Sequence, residues 1–372
     1  MSDKRTNDLP FFADEEATEP AEEQDTDAQP AEEPEGEAAA AAPAKPKRGR
    51  KRMRDRWVLL TALGLVLALV MAVAGVGAYY TKTALDGLNS VKREKDLIDT
   101  SYQGRPAEVP VAEGEKYAPL NIALMGTDQR STAERGRSDV LLILHISGDR
   151  KSAYLISLPR DYWVPIPGHG TAKINAAYSW GGPALAVKTV EQLLDVPIDH
   201  TALINFEGFA NVIDAIGGVS VYNKHGSEID GVYFPEGQIE LTTGSDALLF
   251  VRDRYGLPNH DFDRTERQRD VIKAVVEKLL SRGVLTSPET FRNAVTTLGP
   301  NFTVDEGLTN DKIIELGLQM RITSAGQIKS FMAPWAGYGT SRDGQAYVVV
   351  DQAKIKLLGE AMRNDKMNQY AP

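Results

Sequence analysis

An uncharged run of 24 residues constrains this 372-residue chain more than any other feature. Residues 57–80 read WVLLTALGLVLALVMAVAGVGAYY and contain no Asp, Glu, Lys or Arg. A helix of this length rises roughly 36 Å, which exceeds the ~30 Å hydrocarbon core of a bilayer. A cleaved signal peptide is the alternative, because residues 72–74 read AVA, but its apolar region usually has only about 7–15 residues. The run therefore predicts one membrane-spanning helix, Trp57–Tyr80.

The residues before this run have two opposite charge biases. Residues 1–43 contain 14 Asp and Glu against two basic residues, and such a segment buries too little apolar surface to fold. Residues 44–56 contain eight Lys and Arg, which predicts a cytoplasmic N-terminus (1–56) and an extracytoplasmic remainder. Beside a membrane span, a basic run favours topogenic and anionic-lipid roles, so no nucleic-acid partner is expected. The acidic segment can dock a partner, but its composition favours solvated filler.

The residues after the span divide by texture into three parts. Residues 81–117 are polar and contain prolines, which predicts an extracytoplasmic stalk. Residues 118–365 mix apolar runs with helical patterns and predict one folded domain, which leaves 366–372 as a tail. The chain has no cysteine, which excludes disulfides, thiolate metal sites and a cysteine nucleophile.

Apolar runs of strand length alternate with helical patterns through this domain, and this order predicts an α/β sandwich whose sheet is covered on both faces. The predicted strands are 121–125, 140–146, 153–158, 219–222, 248–252, 330–335 and 346–350. The predicted helices are 184–194, 206–216, 264–281, 286–298 and 310–320.

Acidic and arginine residues carry the chemistry that the sequence suggests. The chain has no GxSxG, P-loop, strand-linked GxGxxG or HExxH pattern. Asp128 follows the carboxyl end of the first strand, where ligands bind in open α/β sheets. Asp139 begins the second strand, and the loop between them can bring it back beside Asp128. Two carboxylates without nearby His or Cys suit Mg²⁺ shared with phosphate oxygens, although an Asp in a turn is more often a cap. Arg160 and Asp161 follow the third strand, where a surface ion pair is the alternative.

The segment RDRYGLPNHDFDRTERQRD, residues 252–270, concentrates cations near a predicted helix N-terminus. Asp263 and Glu266 have the spacing of a capping box, which predicts a helix from Arg264. Arg264 and Gln268 continue its apolar stripe at the end that leaves the core. Arginines at the positive end of a helix are favourable where an anion binds, and we expect a pyrophosphate there. A charged solvent face balanced by neighbouring acids is the alternative that the residues leave open.

The motifs NIALMGTDQR, GRSDV, SLPRDYW, KINAAY and RDRYGLPNHDFDRTERQR occur in this order and resemble the LytR-CpsA-Psr family of wall glycopolymer transferases. The resemblance covers residues 119–272. It implies a three-layer α/β/α sandwich with a mixed central sheet outside the membrane. It also implies transfer of a glycopolymer from an undecaprenyl pyrophosphate carrier to a peptidoglycan hydroxyl, through a phosphodiester. The expected partners are the polyprenyl pyrophosphate-linked glycopolymer and the peptidoglycan acceptor.

The resemblance also implies roles for individual residues. Asp128 and Asp139 match the acids that hold Mg²⁺ (or Mn²⁺), and Asp261 matches the loop acid, with Asp263 standing where relatives commonly have Gly. Asp128 or Asp261 is the candidate base. The polyprenyl chain is expected in an apolar slot between the sheet and a helical layer. The residues matched to the pyrophosphate clamp are Arg160, Lys173, Asn175, Arg252, Arg254, Arg264, Arg267 and Gln268.

Two other functions compete with this one. A polyprenyl pyrophosphate pyrophosphatase would use the same groups with water as the acceptor. A non-catalytic, membrane-anchored lipid-binding or regulatory module would need the arginines but would gain nothing from paired carboxylates without a metal. The residues do not identify the glycopolymer or the oligomeric state.

Overall fold

The computed structural model describes residues 49–127, 138–254, 256–259, 261–279 and 281–371. The chain divides into two units, residues 1–65 and 66–372. The first unit is described only from Gly49, where helix α1 begins. The second unit contains the sheets and the remaining helices.

The second unit alternates strands and helices in the order that the sequence predicts. The strands are β1 (Lys92–Glu94), β2 (Leu120–Thr127), β3 (Ser138–Ile146), β4 (Ala153–Ser157), β5 (Trp163–Ile166), β6 (Gly170–Lys173), β7 (His200–Asn205), β8 (Val219–Asn223), β9 (Ser227–Ile229), β10 (Val232–Phe234), β11 (Gly237–Leu241), β12 (Phe302–Asp305), β13 (Ile328–Met332), β14 (Trp335–Thr340) and β15 (Ala346–Val350). The helices are α1 (Gly49–Ser90), α2 (Ile174–Leu194), α3 (Phe206–Ala215), α4 (Gly244–Arg252), α5 (Asp261–Leu279), α6 (Arg282–Leu285), α7 (Pro288–Asn301), α8 (Asn310–Gln319) and α9 (Gln352–Arg363), with short 3₁₀ turns at Lys95–Leu97 and Ala325–Gln327.

A seven-stranded mixed sheet organises this unit, in the order β1-β12-β7-β2-β3-β4-β13. Strand β2 is parallel to β7 and antiparallel to β3, β3 is antiparallel to β4, and β4 is parallel to β13. Strands β2, β4, β7 and β13 therefore run in one direction and end at the same edge. We call this the carboxyl edge, defined by Thr127, Ser157, Asn205 and Met332.

Both faces of the sheet are covered, which confirms the predicted three-layer α/β/α sandwich. On one face, Ala123, Met125 and Ile143 pack with Val187 of α2 and Leu358 of α9. On the other face, helices α3, α5 and α7 cover the sheet. A second core there includes Ile213 of α3, Phe250 of α4, Val271 of α5 and Ala294 of α7. The alternation of side chains along each strand directs successive residues to the two cores.

Most of the predicted elements are confirmed, and one strand is wrong. Residues 248–252, LLFVR, lie in helix α4 instead of a strand. The Oγ1 atom of Thr243 accepts a hydrogen bond from the backbone N–H of Asp246, which caps the helix. Ala247, Phe250 and Val251 recur at helical spacing and are buried together. A short apolar run cannot distinguish a strand from a buried helix segment, and here the cap decides.

The predicted capping box is also wrong. Helix α5 begins at Asp261, so Asp263 lies inside its first turn. The Asp263 carboxylate accepts hydrogen bonds from the backbone N–H and the side-chain amide of Asn259, at 2.8 and 3.1 Å. Glu266 instead pairs with Lys224 and Arg269. The helix therefore starts three residues earlier because Asp263 holds the preceding turn.

Helix α1 contains the whole predicted span and continues beyond it. Among the described residues, one helical stretch, Leu65–Ser90, is long and apolar enough to cross a membrane. Residues of the predicted stalk join the folded unit, because β1 pairs in parallel with β12 at the sheet edge. In the predicted tail, Met367 is buried in the core and Tyr370 packs beside it.

Candidate active site

Two arginines from different elements converge on one carboxylate at the carboxyl edge. Arg160 follows β4, and its Nε donates to Oδ2 of Asp261 at 3.2 Å while its Nη2 lies 3.2 Å from Oδ1. Nη2 of Arg264, one turn along α5, lies 2.7 Å from the same Oδ1. The fork-on-carboxylate geometry fixes the Arg160 plane. We call Arg160, Asp261 and Arg264 the arginine cluster.

The predicted K-x-N motif adjoins this cluster through the backbone. The backbone N–H of Asn175 donates to the carbonyl of Arg160 at 3.1 Å. Nζ of Lys173 lies 3.0 Å from Oδ1 of Asp161, whose Oδ2 lies 3.9 Å from Nε of Arg160. Asp161 therefore links the lysine to the cluster. Asp161 is not among the predicted site residues, although its position beside Arg160 is a sequence signal for it.

The structure separates Arg267 from the cluster. Its Nη1 donates to Oδ2 of Asp253 at 3.1 Å, and its Nη2 donates to Asn223 Oδ1, Ser227 Oγ and the carbonyl of His225 at 2.8–2.9 Å. The guanidinium also lies 4.2 Å from the ring centre of Phe250. Burial lowers the pKa of Arg267, and the carboxylate of Asp253 acts against this shift. Its donors are thus bound within the protein.

The two remaining predicted arginines differ in exposure. Arg252 ends α4, is exposed, and stacks its guanidinium 4.1 Å from the ring centre of Phe206. Arg254 is half-buried two residues later. Gln268 donates from Nε2 to the carbonyl of Val251 at 3.2 Å, which ties α5 to the end of α4. Arg252 and Gln268 lie beside the cavity described next, because Phe206 and Gln268 line it.

An apolar cavity of about 230 Å³ lies between the sheet and helices α3, α5 and α7. Gln268 and Phe206 border it near the arginines, so the cavity and the cluster share helix α5. An engineered cavity of ~150 Å³ holds a benzene ring, so this volume suits roughly one or two isoprene units of a longer chain. Lining side chains come from β2, β3, β7 and the three helices: Leu124, Leu142, Ile204, Phe209, Ile272, Val275, Val276, Leu279 and Leu298.

One of the two predicted metal ligands, Asp139, stands at a β-bulge. Gly126 pairs with Val140 and Thr127 pairs with Ser138, so Asp139 is the extra residue on β3. Bulges re-aim a strand and are frequent beside active sites. Asp128 follows Thr127 in the sequence but lies outside the described residues, as does the side chain of Asp139. Carboxylate oxygens are donors that suit Mg²⁺ or Mn²⁺. Among the described residues, no group of three His, Cys, Asp or Glu forms a metal site.

Comparison with known proteins places the chain in one family. Residues 78–364 match the LytR_cpsA_psr family. The chain belongs to this family. A polyisoprenyl-teichoic acid–peptidoglycan teichoic acid transferase TagU of Enterococcus faecalis is 34% identical over 304 residues, which cover 81% of this chain and 94% of the relative. The TagU of Halalkalibacterium halodurans is 32% identical over 305 residues, which cover 81% and 96%.

Solved structures of LytR_cpsA_psr proteins have the same architecture. Bacillus subtilis TagV matches with a TM-score of 0.58 and 26% identity, covering 69% of this chain and 100% of that one. A structure described as TagT bound to LI-WTA matches with a TM-score of 0.53 and 27% identity, covering 70% and 96%. These likenesses support the mixed sheet and its helical layers.

Proposed function

We propose that this protein is a membrane-anchored phosphotransferase that moves a wall glycopolymer from a polyisoprenyl pyrophosphate carrier to a hydroxyl of peptidoglycan. The printed names of its relatives describe teichoic acid transfer to peptidoglycan, and the chain matches nearly their full length. Helix α5 is the observation that carries the proposal. Arg264 near its start belongs to the arginine cluster, and Val275 and Leu279 further along line an apolar cavity.

The shared helix fits an amphiphile whose head is anionic and whose tail is a hydrocarbon. A guanidinium group beside a helix N-terminus stabilises phosphate oxygens through charge and directed N–H groups. The cavity removes apolar carbon from water, which contributes about 25 cal/mol per Å² of surface buried. Gln268 lies at the junction of the two regions. A polyprenyl pyrophosphate, and undecaprenyl pyrophosphate in particular, has both parts in this order.

Asp128 and Asp139 would hold Mg²⁺, or Mn²⁺, beside the pyrophosphate. The bulge at Asp139, opposite the end of β2 that precedes Asp128 in the sequence, supports this assignment. When bound, the ion neutralises charge on the phosphate oxygens. Arg160 and Arg264 bind the pyrophosphate from the β4 and α5 side, and Arg252 and Arg254 extend the positive surface toward the cavity.

The chemistry depends mainly on positioning and charge neutralisation. The acceptor oxygen forms a bond to the sugar-proximal phosphorus, and the bond from that phosphorus to the bridging oxygen breaks. Polyprenyl phosphate leaves, the polymer remains joined through a phosphodiester, and the hydroxyl proton is released. Asp161 orients Lys173 beside the cluster, and Asp261 fixes both guanidinium groups.

The charge pattern supports an orientation with the folded unit outside the cytoplasm. Eight Lys and Arg in residues 44–56 precede the apolar helix, and such clusters remain on the cytoplasmic side. The carrier lipid and peptidoglycan would then meet the same face of the membrane as the arginine cluster. Protease protection of the folded unit in inside-out vesicles, but not in right-side-out protoplasts, tests this orientation.

Thermal protection of the full chain in detergent by a polyprenyl pyrophosphate, with and without Mg²⁺, tests the site. Ligand that binds the folded state alone raises the melting temperature with concentration. We expect Mg²⁺-dependent protection in the wild type and its loss in Asp128→Ala and Arg264→Ala. Arg292→Ala, on α7 away from the cluster, is the control and should match the wild type. An equal rise in melting temperature with and without Mg²⁺, in the wild type and in both site variants, would contradict the proposal.

A transfer assay then separates the transferase from a pyrophosphatase. Donor polymer with a labelled sugar is incubated with and without soluble peptidoglycan. A transferase joins the label to peptidoglycan and releases polyprenyl phosphate only when the acceptor is present. Release of polyprenyl phosphate at the same rate with and without the acceptor would support the pyrophosphatase instead.

A further inference from the structure

Three aromatic side chains form a solvent-facing surface beside the arginine cluster. Phe262 follows Asp261 on α5, and its ring centre lies 4.5 Å from that of Trp335 and 5.6 Å from that of Tyr338. The rings of Trp335 and Tyr338 are 5.6 Å apart, and their residues are 42% and 65% exposed. We call Phe262, Trp335 and Tyr338 the aromatic surface.

A β-bulge builds this surface. In a regular strand, residues three apart point to opposite faces. Here the register shifts between Trp335 and Gly337, so Trp335 pairs with Val350 and Tyr338 pairs with Val348. Those two valines are two residues apart, and the paired aromatic rings therefore share one face. Gly337 has a φ of +143°, which an L side chain rarely adopts. The chain thus uses a glycine and a bulge to place two large rings together in solvent.

The aromatic surface and the cavity lie on different sides of the arginine cluster. Phe262 packs against the core that includes α2 and α9, whereas the cavity lies under α3, α5 and α7 on the other face of the sheet. The ring of Tyr338 lies near the start of α5, because its centre is 5.6 Å from that of Phe262. Burial raises the pKa of Tyr338, and the carboxylates of Asp263 and Asp261 raise it further. In phosphoryl transfer the attacking and leaving oxygens are roughly in line across the phosphorus. A leaving lipid phosphate on the cavity side therefore requires the acceptor on the aromatic side.

We propose that Phe262, Trp335 and Tyr338 form the docking surface for the acceptor glycan, with amino-sugar rings of peptidoglycan stacked on Trp335 and Tyr338. This proposal rests on the proposed function for its choice of acceptor over donor sugars. The electron-rich face of an aromatic ring complements the C–H face of a pyranose, and a phenol adds a hydrogen-bonding group at the rim. An exposed aromatic patch that continues into an ionic site is also unusual for a surface without a partner.

Direct glycan binding tests the docking surface without requiring catalysis. The full chain in detergent is titrated with short soluble strands of alternating N-acetylglucosamine and N-acetylmuramic acid. Isothermal titration calorimetry measures the Kd of every variant, and tryptophan fluorescence separately reports glycan contact at Trp335. We expect the double variant Trp335→Ala/Tyr338→Ala to raise the glycan Kd about tenfold, the effect of losing one or two stacked rings. Trp335→Phe should stay within about threefold while losing most of the fluorescence change. Tyr233→Ala, at an equally exposed tyrosine on β10, should bind as the wild type does.

Three outcomes would overturn the docking surface. The double variant could bind glycan with wild-type affinity. Alternatively, loss of the two rings could raise the Kd of the donor polymer and leave that of the glycan unchanged, which would assign the rings to the donor sugars. A wild-type protein whose tryptophan fluorescence does not change on saturation with glycan would also reject it. If the double variant melts below the assay temperature, the pair Trp335→Phe and Tyr338→Phe, measured for fluorescence and Kd, replaces it. Glycan binding at this surface without any polymer transfer would reject the proposed function and retain the docking surface.

Discussion

Arg267→Ala should remove stability, whereas Arg264→Ala, one turn away on α5, should remove activity. Arg267 is 6% exposed and its guanidinium is bound by Asp253, Asn223 and Ser227. Asp253 is 2% exposed, so truncating the arginine leaves a buried carboxylate without its cation. Breaking a buried pair in this way costs about 3–5 kcal/mol. Arg264 is also buried, but its partner Asp261 is 24% exposed and keeps Arg160 when Arg264 is truncated, so this change should cost only about 1 kcal/mol or less.

Urea unfolding and polymer transfer, measured on the same two variants, separate these roles. We expect Arg267→Ala to lose about 3–5 kcal/mol of unfolding free energy and to keep measurable transfer per folded molecule. A matched variant, Asp253→Asn/Arg267→Ala, should recover part of the loss, because the uncompensated charge is then absent. Arg264→Ala should unfold within about 1 kcal/mol of the wild type and transfer no polymer.

The opposite pattern would refute this reasoning. An Arg267→Ala protein that is as stable as the wild type and inactive would return Arg267 to the pyrophosphate clamp that the resemblance implies. An Arg264→Ala protein with full activity would remove the arginine cluster from the reaction.

Three further predictions concern the cavity, the end of α1 and a buried histidine. Val275→Trp should fill part of the ~230 Å³ cavity, so polyprenyl pyrophosphate should lose at least about tenfold in affinity while inorganic pyrophosphate protects as before, read by thermal shift. Gly299→Ala places a methyl group against Ser90 and the Gly87 carbonyl and should cost about 1–3 kcal/mol, seen as faster proteolysis before β2. Burial lowers the pKa of His145 from 6.5 to about 3. The stabilisation from its neutral form is therefore complete above pH 6.5 and is lost as the pH falls toward 3, because the unfolded chain takes up the proton first. In urea titrations, His145→Gln should reduce the pH dependence of the unfolding free energy by up to about 1.4 kcal/mol per pH unit.

The central strands were predictable because they are buried on both faces. Strands β2, β3 and β4 read as near-continuous apolar runs, which few other structures require. The α4 segment failed because LLFVR has too few residues to reveal a helical period. The preceding TTGSD contained the missing signal, since Thr243 accepts the Asp246 N–H as an N-cap.

The charged part of the site was easier to predict than its apolar parts. Positions beside predicted elements indicated Arg160 and Arg264, the family resemblance added Asp261, and the structure brings these three together. The sequence could not show that Arg264 faces the site while Arg267 is bound inside the protein, because their directions depend on which face of α5 meets the core. Lining residues such as Ile272 resemble ordinary core in sequence. The aromatic surface was hidden for a different reason: the bulge at Gly337 changes which residues share a face.

The charges within the arginine cluster indicate why more distant arginines are needed. The arginine cluster lies beside Lys173 and Asp161. Together these five side chains have three positive and two negative charges, a net charge of about +1. A pyrophosphate diester has two negative charges, and each must be offset where water is excluded. Arg252, which ends α4 and stacks on the cavity-lining Phe206, and Arg254, two residues later, add two cations. A divalent ion at Asp128 and Asp139 would balance its own ligands. Affinity for the donor should therefore depend on all three sources of charge, and removal of Arg252 should weaken binding of the lipid donor more than binding of the glycan acceptor.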